Sequence, residues 1–175
     1  YIDNLSYTNA IIHLGSRNSI QETVSTLMLQ SELMLLVGDY TGACSILTNL
    51  YSSNYREFDL LKMLFYVLYE IDNSVEELNL YTITKEIKDN YPNRTLGYEA
   101  QSMLFMDDND YNEALRVLLE GYKFFPYSES INYQLGIAYK NLKEYSKSIS
   151  HLEIARNNNQ GSYSIISQLG HIYNS

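Results

Sequence analysis

The chain has 175 residues and a formal net charge of −9, with 45% hydrophobic and 19% charged residues. That apolar content can bury a core and excludes a disordered tail, while the acidic balance argues against phosphate-backbone binding as the main role. A single cysteine, Cys44, rules out an internal disulfide framework and a cysteine-based zinc cluster.

The charge is uneven. Residues 1–100 carry 13 acids and 6 bases, and residues 101–175 carry 8 and 6, so the N-terminal half repels anions more strongly. Eighteen tyrosines supply most of the aromatic mass, and their apolar bodies and polar tips suit half-buried helix interfaces. No apolar run approaches the roughly 18 residues of a membrane span. Tyr1-Ile2-Asp3-Asn4 does not read as a signal peptide. Two glycosylation sequons, at Asn4 and Asn93, matter only in a secreted eukaryotic protein. Cys44 lies in an apolar helical run with Ala43, Ile46 and Leu47 and is expected in the core. A lone cysteine mildly favours a reducing compartment, and the cytoplasm is the expected location.

The predicted elements come as helix pairs. Residues 1–20 form a partial unit, mainly a second helix, entered at Ser6-Tyr7-Thr8-Asn9-Ala10-Ile11 and followed by Leu14. A repeat over 24–57 shows the turn-and-entry signal Gly38-Asp39-Tyr40-Thr41-Gly42-Ala43, then Leu47 and Leu50. A weaker repeat over 61–94 has Glu77 and Leu80 where a tyrosine and an alanine are expected, and Pro92 closes it. A three-residue insertion near 58–60 reconciles its register with the preceding unit. The repeat over 95–128 contains Phe105, Tyr111, Ala114, Leu118 and Pro126. The repeat over 129–162 contains Leu135, Gly136 and Tyr139, a polar break at Asn141 to Glu144, then Tyr145, Ser148, Ile149, Leu152 and Ala155 on one helical face. Residues 163–175 supply a first helix with Leu169, Gly170 and Tyr173. The chain begins and ends partway through a unit, so a segment of a longer protein is expected.

Three features share one period. Leu135-Gly136 to Tyr139 returns as Leu169-Gly170 to Tyr173, Tyr111 returns as Tyr145, and Tyr91-Pro92 returns as Phe125-Pro126, each 34 residues apart. Mid-helix glycine costs about 1 kcal/mol against alanine. Gly136 and Gly170 are therefore expected where a partner helix approaches closely, with Ala10, Ala43, Ala114 and Ser148 serving the same purpose on second helices. This period and these residues resemble the tetratricopeptide repeat. The resemblance covers nearly the whole chain and is most specific from about residue 95. It implies an all-α, right-handed α-solenoid of stacked antiparallel helix pairs, forming one array over residues 1–175.

Candidate chemistry is sparse. The phosphate-binding, metalloprotease and nucleophile-elbow motifs are absent, no enzyme activity is expected, and neither is a cofactor or metal. His13, His151 and His171 do not share ligand spacing. Asp107-Asp108-Asn109-Asp110 lacks the glycine and the distal glutamate of a calcium loop and reads as a turn with Asp110 as helix cap. Glu76-Glu77 reads as acidic residues opening a second helix.

In proteins that this chain resembles, the first helices line a concave groove where ligands lie. The resemblance places Met28, Glu32, Phe65, Tyr69, Glu99, Met103, Tyr133, Ile137, Ser167 and His171 there, with Leu35, Asp72, Met106 and Lys140 one turn later. None of the first ten is lysine, arginine or asparagine, so a carboxylate clamp for chaperone tails is not expected. A groove lined by methionine and aromatic residues, with Glu32, Glu99 and Asp72 as polar points, suits a peptide or partner helix with apolar anchors and some basic character. The same stripe also fits packing against the next unit, and self-association is a further use of exposed apolar surface. The leading expectation is a scaffold or adaptor for protein partners. The alternatives are a peptide-sensing segment of a larger regulator and a non-catalytic helper segment of an enzyme.

Overall fold

The computed structural model describes residues 7, 24–71, 78–159 and 161–174, which form nine helices and the turns between them. The expected partial unit at 1–20, with Ala10 and His13, lies outside the described residues apart from Tyr7, and so do Asp72, Glu76 and Glu77. The helices are α1 (Val24–Val37), α2 (Tyr40–Ser52), α3 (Phe58–Glu70), α4 (Leu80–Asn90), α5 (Leu96–Asp107), α6 (Tyr111–Phe124), α7 (Glu129–Asn141), α8 (Tyr145–Asn158) and α9 (Tyr163–Tyr173). They form two compact units, Tyr1–Ile83 and Thr84–Ser175, with the boundary inside α4. The fold class is all-α, built from antiparallel helix pairs. No described helix is long and apolar enough to cross a membrane.

In the first unit α1 packs on α2, and α2 on α3. Its core includes Ala43, Cys44, Leu47, Leu60, Leu64 and Phe65. Cys44 is buried, as its run of apolar neighbours requires. The register of α3 differs from the sequence reading. α3 starts at Phe58, 34 residues after the start of α1 at Val24. No insertion therefore precedes it, and residues 58–60 are its first turn. The extra length lies between Glu70 and Leu80, where Asn79 caps α4 by accepting from the Thr82 amide at 2.8 Å.

In the second unit each first helix packs on its own second helix and on the first helix of the next pair. The core gathers Tyr98, Val117, Leu118, Ile131, Leu135 and Ala138, and then Leu152, Ala155, Ile165, Leu169 and Ile172. The 34-residue period extends to polar contacts. The Tyr98 hydroxyl donates to the Pro92 carbonyl at 3.3 Å, and the Asn132 amide donates to the Pro126 carbonyl at 2.9 Å. Tyr98 and Asn132 occupy equivalent places in α5 and α7, so two different side chains tie each first helix to the proline turn before it.

His151 joins three helices. Asn132 donates through Nδ2 to the carbonyls of Pro126 and Ser128, which leaves Oδ1 to accept from His151 Nδ1 at 2.9 Å. The His151 ring stacks on Tyr139 of α7 at 5.5 Å and meets the edge of Tyr122 of α6 at 5.3 Å. Burial disfavours the imidazolium and lowers the His151 pKa from its ordinary 6.5. A histidine whose folded pKa lies below its unfolded value contributes stability above the unfolded value. That contribution is lost as pH falls from about 6.5 toward the folded value, because the unfolded chain takes up the proton first. The melting temperature should fall between pH 7.5 and pH 5.5, and His151→Gln should flatten that dependence. An equally steep fall in the variant would show that another group is responsible.

The α7–α8 pair is closed by a small residue on each helix. The buried Ser148 hydroxyl donates to the Gly136 carbonyl at 2.7 Å. A Cβ on Gly136 would stand 2.5 Å from Leu152 Cγ and 2.7 Å from its Cδ2, and Leu152 is fully buried. Gly170 is the repeat equivalent, but a Cβ there meets nothing within 4 Å, so the expected close approach at Gly170 is absent among the described residues. Gly136→Ala should cost about 1–2 kcal/mol net of its helix-propensity gain. Gly170→Ala should stabilise by about 0.5–1 kcal/mol. Urea unfolding of both variants tests the pair, and a stabilising Gly136→Ala would contradict the packing argument.

Candidate functional site: the first-helix face

The register observed for α3 moves one expected contact residue into the core. Phe65 is 3% exposed and occupies the close-approach position that Ser31, Ser102 and Gly136 hold in α1, α5 and α7. This corrects its placement on the binding face. Tyr66 and Tyr69, at 48% and 41% exposure, stand on the accessible side of α3 beside exposed Lys62. The rings of Tyr66 and Tyr69 flank Phe65 at 5.3 and 6.0 Å. Sequence reading missed Tyr66 and Lys62 because the displaced insertion moved every assignment on α3 by three residues. In α1, Met28 is half-buried and Glu32 exposed.

In the second unit polar bonds join successive first helices. Ser130 donates to Glu99, and Ser102 donates to Gln134, both between α5 and α7. Lys140 donates to Gln168 at 2.7 Å between α7 and α9. Met103 and Ile137 are half-buried, and His171 is exposed, at positions 34 residues apart. Tyr133 is half-buried and packs against the Leu152–Ile165 cluster, so much of its ring already serves the stacking of one pair on the next. Ser167 and Met106 are half-buried, and Met106 packs on the Tyr98–Leu135 core.

Two open cavities adjoin this face. One, of about 330 Å³, lies between the N-terminal ends of α7 and α9 beside Ser130, Tyr133 and Ile165. The larger, about 460 Å³, lies at their other ends and is lined by Lys140, Asn141, Lys143, Tyr145, Gln168 and His171, with Ile172.

The turn that supplies Lys143 is one of three with the same backbone. In each, a left-handed residue follows the first helix. These residues are Gly38 at φ 83, Asn109 at φ 62 and Lys143 at φ 62. In each, the amide of the following residue bonds back five residues, Asp39 to Met34, Asp110 to Phe105 and Glu144 to Tyr139, at 2.9, 2.7 and 2.9 Å. This is the glycine-favouring helix stop. Asp39 and Asp110 then cap α2 and α6 by accepting from the amides of Gly42 and Glu113 at 2.9 and 3.1 Å. The 107–110 segment is thus a turn and cap. Glu144 makes no side-chain cap bond and pairs instead with Lys147 at 2.5 Å. The third turn therefore carries lysine in a left-handed slot and lacks a cap. Grafting Asn and Asp from the α5–α6 turn, as Lys143→Asn with Glu144→Asp, should stabilise by about 1 kcal/mol. The exposed ion pair it removes is worth little. Denaturant unfolding reads the effect, and a loss of stability would mean that Lys143 or Glu144 makes a compensating contact.

No family model matches the sequence, and no curated protein matches it. Solved structures do. MamA residues 41–end from Desulfovibrio magneticus RS-1 is 18% identical over 85% of this chain and 82% of that one, with a TM-score of 0.71. A thermophilic TPR protein of Thermus thermophilus, TTC0263, is 19% identical over 85% and 80%, with a TM-score of 0.65. A further MamA crystal structure is 12% identical over 91% and 96%, with a TM-score of 0.76. Likeness at these identities establishes the fold, which is that of tetratricopeptide-repeat proteins.

Proposed function

We propose that the chain is a protein-interaction scaffold, a single helical-repeat array whose first-helix face holds a peptide or partner helix. The observation that carries this reading is the row of first helices α5, α7 and α9. Ser102–Gln134 and Lys140–Gln168 bonds hold them side by side, leaving Met103, Ile137 and His171 at equivalent places. A preformed face of this kind presents apolar side chains at helical spacing without the entropy cost of ordering a loop. Tyr66 and Tyr69 extend the same chemistry on the first unit. Exposed Glu32 and half-buried Glu99 favour a partner with some basic character.

Partner capture from the source lysate tests the reading when it is run beside a variant with Tyr66→Ala, Tyr69→Ala, Met103→Ser and Ile137→Ser. Circular dichroism must first show the variant to be as helical as the parent. A partner retained by the parent and weakened at least about ten-fold in the variant is the expected result, since several anchors are removed together. Equal retention would place the contact on another face.

A further inference from the structure

We propose that the cavity between the α7–α8 turn and the C-terminal half of α9 is a carboxylate-binding subsite, formed chiefly by Lys140, Lys143 and His171. The proposal rests on the reading that the first-helix face takes a peptide, and it names the chemistry at one end of that face.

Three observations carry it. First, the lining of this cavity of about 460 Å³ contains two lysines and a histidine, the amides of Asn141 and Gln168 and the Tyr145 hydroxyl, and no acidic residue. In a chain of net charge −9, such a concentration of donors runs against the composition. Second, Lys143 stands where the equivalent turns place Gly38 and Asn109, on the same left-handed backbone. Cations at the last turns of α7 and α9 complement the helix dipoles, which accounts for Lys140 and His171. Lys143 lies past the end of α7, where the backbone favours glycine or asparagine over lysine. The turn's geometry therefore gives no reason for a lysine, whereas the cavity gains a charge. Third, Lys140 is held by Gln168 at 2.7 Å across the α7–α9 seam, so its ammonium is positioned before a ligand arrives. Glu144, the nearest acid in sequence, is paired with Lys147 at 2.5 Å.

A carboxylate meeting these groups accepts from two ammonium groups and from the His171 ring. It can belong to an Asp or Glu side chain of the bound segment or to its C-terminus. The subsite gives the face a direction within the second unit, with the Glu99 carboxylate engaged by Ser130 toward one end and the cationic cavity at the other.

The test is an amide chemical-shift titration of the whole chain with four probes. These are the tetrapeptide Ala-Leu-Ala-Leu with a free C-terminus, its C-terminal amide, acetyl-Ala-Glu-Ala-Glu amide, and inorganic phosphate. Shifts at Lys143, Tyr145 and His171 are expected with the first or third probe. A response to the first alone identifies a terminal carboxylate, and a response to the third identifies a side chain. Lys143→Asn together with Lys140→Gln should weaken that binding at least five-fold, with no loss of melting temperature. Raising salt from 50 to 300 mM should also weaken it several-fold. Absence of shifts at these amides with both carboxylate probes, an equal response to the amidated apolar peptide, or a response confined to phosphate overturns the proposal. So does unchanged carboxylate binding in the folded double variant. A captured partner that is lost with the Tyr66/Tyr69/Met103/Ile137 variant but held equally by the lysine variant sinks the subsite and leaves the scaffold reading intact. Carboxylate shifts without any captured partner do the reverse.

Discussion

The approach of α7 and α8 at Gly136 and Ser148 sets what the rest of the second unit can do. A serine hydroxyl donating to a helix carbonyl at 2.7 Å requires the two backbones to be nearly in contact. Only a missing Cβ and a small partner allow that distance. Once the pair is closed, Leu152 lies over Gly136 and completes the apolar cluster that receives Ile165, Leu169 and Ile172 of α9. Stacking of the next pair therefore depends on the closure of the previous one. This is the physical content of a repeat whose units cannot bury their apolar faces alone. The same place is filled by buried Ser31 in α1 and Ser102 in α5, and each hydroxyl is satisfied by a carbonyl of its own helix, Leu27 and Glu99 respectively.

Phe65 shows what happens when this constraint is not met. It occupies the close-approach place in α3, and the α3–α4 connection is the longest between paired helices, running from Glu70 to Leu80. The other pairs turn within two or three residues, as at Leu142, Lys143 and Glu144. A bulky ring at the closure point and a long connection belong together, since a tight turn forces the approach that the ring obstructs. The weakest unit in the sequence is also the least regular in the structure.

That coincidence explains what was legible. The period of 34 was carried by residues whose roles are geometric, namely Gly136, the Tyr111 and Tyr145 helix entries, and Pro92 and Pro126, and these specify helix pairs without any tertiary information. The α3 register was not legible. Neither Glu77 nor Leu80 matched the turn pattern, and an insertion cannot be located where the pattern around it has decayed. Pro92 fixed only the end of that unit. Counting backward from it put Phe65 on the face and Tyr66 in the core, the inverse of the burial observed. The cavity at Lys143 was hidden for a different reason. A search along first-helix positions passes over turn residues, and the three turns look different as letters, Gly-Asp, Asn-Asp and Lys-Glu. Their identity is visible only in the left-handed φ values and the repeated bond back to the helix.

Polar groups play two separate roles across the second unit, and the difference bears on how a face can be both rigid and receptive. Tyr98 and Asn132 spend their donors inside, on the proline carbonyls that end the preceding pair. Such bonds are shielded from water, and leaving either carbonyl unsatisfied costs more than the bond itself gains. They fix the spacing of units. Ser102, Ser130 and Lys140 instead act across the seam between first helices, where solvent or a ligand can compete. Bonds of that kind contribute little net stability but hold side chains at defined positions. A bound segment can exchange them one for one without disturbing the interior. The array thus keeps its geometry through buried bonds and presents its exchangeable ones on the first-helix side, which is the division of labour that a binding scaffold requires.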